Sequence, residues 1–100
     1  MAMVPTVFFR GAATVTLTTT LATVTTAKKW IVTNIVVTNT AATAATFDLA
    51  FDGVKVFKDA AIAANSTAVI DLKQVVDATK LIQGGASAVT VNFHISGVEQ

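Results

Sequence analysis

Residues 28–40, KKWIVTNIVVTNT, constrain this chain more than any other stretch. β-branched side chains dominate them, and such side chains fit a pleated, half-buried surface better than a helix. The spacing predicts one long central strand. Unbroken alternation puts Ile31, Thr33, Ile35 and Val37 on one face and Trp30, Val32, Asn34, Val36 and Thr38 on the other. Downstream segments are expected to return and pack against this strand.

The N-terminal segment, residues 4–10, carries Phe8 and Phe9. Pro5 has no N–H to give to a ladder, so residues 1–10 are expected to form an arm or an edge strand ahead of a sandwich domain over 11–100. Adjacent phenylalanines in a strand point to opposite faces, so one enters the core and the other needs a second cover. Gly11 breaks the pattern, and 14–24 resumes it as one or two short strands. Residues 46–52 alternate cleanly, with Phe47, Leu49 and Phe51 inward and Asp48, Ala50 and Asp52 outward. Asp52-Gly53 is a type I′ hairpin signal, and 54–57 is the return strand. Residues 68–71 read as a short strand. Asp71 and Gln74 then have the spacing of a capping box, with Leu72, Val75 and Val76 on one helical face, so a short helix is expected near 72–78. Gly84-Gly85 reads as a turn. Residues 88–96 form a last strand with Val89, Val91, Phe93 and Ile95 inward, and Gly97 ends it.

About eight short strands with turn signals at sandwich spacing argue an all-β fold. It is expected to be a single antiparallel β-sandwich, Ig-like or jelly-roll, with one short helix. One hundred residues make one domain with one core.

Hydrophobic residues make up 53% of the chain and charged ones 13%. Few charges remain to coat a surface, so part of it is expected to be covered by partners or by copies of the chain. Net charge is +1 and the basic residues are scattered, which argues against nucleic acid as a partner. No stretch approaches the roughly 18 apolar residues of a membrane span. The N-terminus lacks the pattern of a secretion signal, so the chain is expected to stay in the cell that makes it or to leave by another route. Without cysteine there is no disulfide or thiolate chemistry.

His94 is the single histidine. Ser66, Ser87 and Ser96 lack the nucleophile-elbow and oxyanion glycine pattern that would make it a catalytic base, so no enzyme is expected. Asp48 and Asp52 stand about 13 Å apart along a strand, beyond the reach of a glycosidase pair. With Asp59 they form no spaced calcium loop, so neither metal nor cofactor is expected. Asn65-Ser66-Thr67 matches the N-glycosylation pattern, a weak signal. Trp30 is either core or a contact anchor; without a second tryptophan or any tyrosine, a sugar-stacking platform is poorly equipped.

The runs FRGAATVT, KKWIVTNIVVTNTAATAATFDLAFDG, IAANSTAVIDLKQVV and VNFHISGVE, between Phe9 and Glu99, resemble a family of small tailed-bacteriophage virion proteins. The resemblance implies a structural component of the virion, made in the host cytoplasm. It points first to a capsid decoration (cement) protein on the major capsid protein, then to a tail or tail-tip component. A carbohydrate- or receptor-binding module is the third reading. The family brings no catalytic residues. Docking is expected through the N-terminal segment, with Val4, Val7, Phe8 and Phe9 first and Trp30 and the outer face of the last strand, with His94, second. Homo-oligomers are expected, trimers suiting a shell's local symmetry.

Overall fold

The computed structural model describes residues 3–100. Eight strands follow one another: β1 (Val4–Ala12), β2 (Thr19–Thr23), β3 (Trp30–Asn39), β4 (Ala45–Phe51), β5 (Val54–Ile62), β6 (Ser66–Val76), β7 (Leu81–Ala86) and β8 (Val91–Glu99). They form two antiparallel four-stranded sheets, ordered β1-β8-β3-β6 and β2-β7-β4-β5. The first strand thus pairs with the last, the second with the seventh, the third with the sixth and the fourth with the fifth. A long hairpin wrapped around itself has this order, so of the two sandwiches left open above, the connectivity is that of a jelly roll.

The helix expected near 72–78 is absent: residues 66–76 are one continuous strand. Ala68, Ile70 and Leu72 turn inward between exposed Thr67, Val69, Asp71 and Lys73, and Val76 is buried again; Gln74, exposed next to the irregularity at Leu72 and Lys73, is the one departure from period two. The capping-box spacing is overridden by β3, which offers this segment a ladder from Trp30↔Val76 to Asn39↔Ser66. A one- or two-turn helix has no comparable set of hydrogen bonds.

β3 is central, as expected, but its alternation breaks at Thr33. Trp30 and Val32 are buried, and so are Ile35, Val37 and Asn39. Ser96 and Gly97, adjacent on β8, face Asn34 and Val32, leaving Thr33 as an extra residue. On the other side Asp71 and Gln74 face the same two residues, with Leu72 and Lys73 between them. The bulge therefore widens by one residue per strand across the sheet, and it switches which parity of β3 faces the core.

β1 is an edge strand on β8, slipping one residue between Val7 and Phe9. Phe8, the extra residue, turns into the core and stacks on Trp30 with ring centroids 4.2 Å apart and planes 13° from parallel. The Trp30 indole N–H donates to Glu99 Oε2 at 2.8 Å, which satisfies its one polar atom. Residues 1–2 of the proposed arm lie outside the described residues.

The β4–β5 hairpin turns on Asp52 and Gly53, both at positive φ (54° and 75°), as a type I′ turn requires. Gly84-Gly85 is no turn. Both glycines lie inside β7, where a Cβ on Gly84 would come within 2.6 Å of the Asp48 carbonyl oxygen and one on Gly85 within 2.8 Å of the Thr14 carbonyl oxygen. Val89 is exposed ahead of β8, and the strand runs past Gly97 to Glu99. A Cβ on Gly97 would overlap the Ile31 carbonyl and lie 3.0 Å from the Phe8 ring. Gly97→Ala is expected to lower stability by about 3 kcal/mol, because the clash is with backbone and cannot be relieved by a rotamer change. Chemical denaturation of the two proteins measures it; equal midpoints would show that β8 and β3 do not approach this closely.

Candidate interaction surface

Strand register sets what each face of the first sheet presents. Its inner face supplies Val32, Ile35, Val37, Phe93 and Ile95 to the core. On the outer face the register aligns rows that cross all four strands. One row is wholly apolar: Pro5, Val98, Ile31 and Val75. The next is Val7, Ser96, Asn34 and Asp71, and the third is Arg10, His94, Val36 and Val69. The last row, Ala12, Asn92, Thr38 and Thr67, is small and polar or apolar. Within these rows only Arg10 and Asp71 carry formal charge, on opposite edge strands, and the exposed Lys73 stands between Asp71 and Val75 on β6. The centre of the face has none. Its outermost valines are open to solvent: Val7 is 51% exposed, Val69 65% and Val75 56%. Depletion of charge from the middle of a patch is the compositional mark of an interface core, and here the apolar row lies at one end of that uncharged middle.

The residues singled out from the sequence separate into two groups. Val7 and His94 lie on this outer face, and Val4 is exposed at the start of β1. Phe8 and Trp30 are buried against each other, so neither ring is available to a partner; Phe9 is half-buried and packs on the core. The burial of Trp30 also takes away the aromatic a sugar platform would use. Ile31, Val36, Val69, Val75 and Val98 were not singled out. Strict alternation puts Ile31 and Val36 on opposite faces of the strand, and Val98 lies beyond the glycine taken to end the last strand.

His94 sits between Arg10 and Val36. Ser87 Oγ instead accepts the Thr46 amide at 3.0 Å, and Ser66 Oγ donates to the Ala64 carbonyl at 3.1 Å. Among the described residues, no three of the His, Asp or Glu side chains gather closely enough to hold a metal ion. A shallow depression lined by Thr33, Asp71, Leu72 and Lys73 marks the bulge.

Two polar side chains lie inside. Asn39, fully buried, donates to the Thr43 carbonyl at 2.8 Å and accepts from the Ala41 amide at 3.1 Å and the Thr90 hydroxyl at 3.3 Å. It joins the loops at one end of the sandwich. Asp48, expected to face solvent, is buried. Its Oδ1 accepts the Asp59 amide at 2.9 Å and its Oδ2 accepts from Lys55 Nζ at 2.9 Å. Asp59 has positive φ and lies where β5 slips against β4, so this carboxylate satisfies an amide that the ladder leaves free. Burial pushes the Asp48 carboxyl up, but the Asp59 amide and the Lys55 ammonium together outweigh it and hold it below the usual carboxylate range.

Comparison with known proteins returns no match among family models, curated proteins or solved structures.

Because the folded state lowers the Asp48 carboxyl, its contribution is fully present above the ordinary carboxylate range and is lost as pH falls through the lowered folded value. Asp48→Asn is expected to cost about 1–2 kcal/mol at pH 7, with the gap to the parent closing below about pH 4. Denaturant midpoints measured from pH 7 to pH 3 check this; a gap that widens on acidification would contradict the sign.

Proposed function

We propose that this chain is a structural protein of a tailed-bacteriophage virion, a capsid decoration protein that docks on the shell lattice and stabilises it. One observation carries the reading: the outer face of the first sheet has an uncharged centre with an apolar row across all four strands, from Pro5 to Val75. The resemblance to small phage virion proteins gives that face a context. The jelly-roll order adds an analogy at the level of fold alone, since such sandwiches serve as viral capsid domains and also as lectin domains. Of those two uses, the buried Trp30 favours the first.

The mechanism is mechanical. A face of half-buried β-branched side chains excludes water from a complementary flat patch on the major capsid protein, and each contact adds a modest free energy. Repetition over a lattice multiplies the effect where copies are also joined to one another. Dispersed polar groups such as Asn34, Ser96 and Asn92 fix the register of docking.

Val98→Lys puts a charge in the middle of the apolar row without touching the core. The variant is expected to keep its thermal midpoint and to bind expanded shells at least about tenfold more weakly, the cost of desolvating one unpaired ammonium at an interface. Co-sedimentation with capsids measures binding, and the heat-induced rupture temperature of the shells measures cementing. Equal binding by parent and variant would exclude this face. Recovery of the protein on purified tails alone would assign it there instead.

A further inference from the structure

The sandwich has four sheet edges, and three of them are blunted. β1 carries Pro5 and slips at Phe8; β2 has five residues; β5 slips twice, has Asp59 at positive φ and carries Lys55 and Lys58. These are familiar ways of preventing strand addition. β6 is different. It is the longest strand, at 11 residues, and pairs only with β3. From Ser66 to Ile70 it is uncharged and contains no proline or glycine. From Ser66 to Asp71 it runs in unbroken register.

We propose that the β6 edge pairs with the β6 edge of a second copy of this chain, antiparallel, about a two-fold axis through Leu72. The inference goes beyond the proposed function and does not rest on it. A two-fold axis normal to the sheet keeps both outer faces on one side, so residues of like parity oppose each other. With the axis at Leu72, Asp71 stands opposite Lys73 of the second copy, and by symmetry Lys73 opposite its Asp71. The exposed Val69 likewise meets Val75, twice. Other centres are worse. An axis at Asp71 or at Lys73 sets like charges directly opposite. One at Gln74 sets Asp71 against Asp77, and one at Ile70 leaves both charges facing uncharged side chains.

Two further observations agree with the Leu72 centre. Among the described residues neither Asp71 nor Lys73 has an ion-pair partner of its own; Asp71 accepts only a 3.3 Å hydrogen bond from the Asn34 amide. The β6 irregularity also lies at Leu72 and Lys73. A bulged edge can pair with its own copy on both sides of the bulge only if the two bulges meet, which requires the axis to pass through them. The product is a continuous eight-stranded sheet and a dimer, not the three-fold contact expected from shell symmetry. Both apolar rows then lie on one side of it, so the dimer would present a doubled docking face.

Sedimentation equilibrium over a concentration series, at low ionic strength, tests this with the full chain and three variants. Asp71→Lys and Lys73→Asp each turn two attractive cross-strand pairs into two repulsive ones. Each is expected to weaken dimerisation by about tenfold or more, while the double swap restores it. Both positions are exposed, so thermal midpoints should hold. A parent protein that stays monomeric at every concentration overturns the proposal. So do single variants that dimerise as well as the parent, or a double swap that fails to recover. Capsid binding by Val98→Lys is read separately, because that residue lies on β8, away from the proposed edge.

Discussion

The register shift at Thr33 is the constraint on which the rest of this structure depends. A strand obeying strict alternation would present either the Trp30 end or the Ile35 end of β3 to the core, not both. One extra residue on β3 relative to β8, and two on β6, allow Trp30, Val32, Ile35, Val37 and Asn39 all to face inward. The other parts of this region answer to that shift. Gly97 has no side chain where the Ile31 carbonyl passes, and Phe8 enters through a second slip to cover Trp30. The outer face follows from the same event, since Ile31 joins Val98 and Val75 only because the parity has changed.

Buried polar groups secure the places where regular pairing fails. Asp48 accepts the amide that the β5 slip leaves free, and Lys55 compensates its charge. Asn39 does the equivalent for the loops at the end of the sandwich. Neither arrangement is a reactive site: each side chain is saturated by backbone and by one neighbour. A buried carboxylate contributes little net stability against an apolar replacement, but removing its partners is costly, so such groups specify one conformation of an irregular segment.

Much of the sandwich was legible in the sequence. The inward placement of Phe47, Leu49 and Phe51, the Asp52-Gly53 turn, and Val91, Phe93 and Ile95 on the last strand are as expected, although Asp48 and Ala50, expected outside on β4, are buried as well. What was not legible depends on long-range pairing. Leu72, Lys73, Gln74, Val75 and Val76 satisfy both a helical and an extended pattern, and β3 decides between them. Gly84-Gly85 looks like a turn until neighbouring backbone is seen to occupy the space of a Cβ. Asp48 sits at an outward position of β4 and is buried by the slip in β5. For the candidate surface, Val7 and His94 were legible as outer positions; the apolar row was hidden because Ile31 and Val98 lie on either side of the Thr33 shift and past Gly97.

The same shift decides which side chains of this charge-poor chain form the outer face, and the functional reading rests on that surface. It holds only if the large aromatic of β3 is inside and the β-branched row outside. The emission of Trp30, the one tryptophan in the chain, reports this directly. The account predicts blue-shifted fluorescence that resists quenching by acrylamide in the folded protein, as befits an indole stacked beneath Phe8. Red-shifted, freely quenched emission would place Trp30 on the outer face, and both the register shift and the surface derived from it would be contradicted.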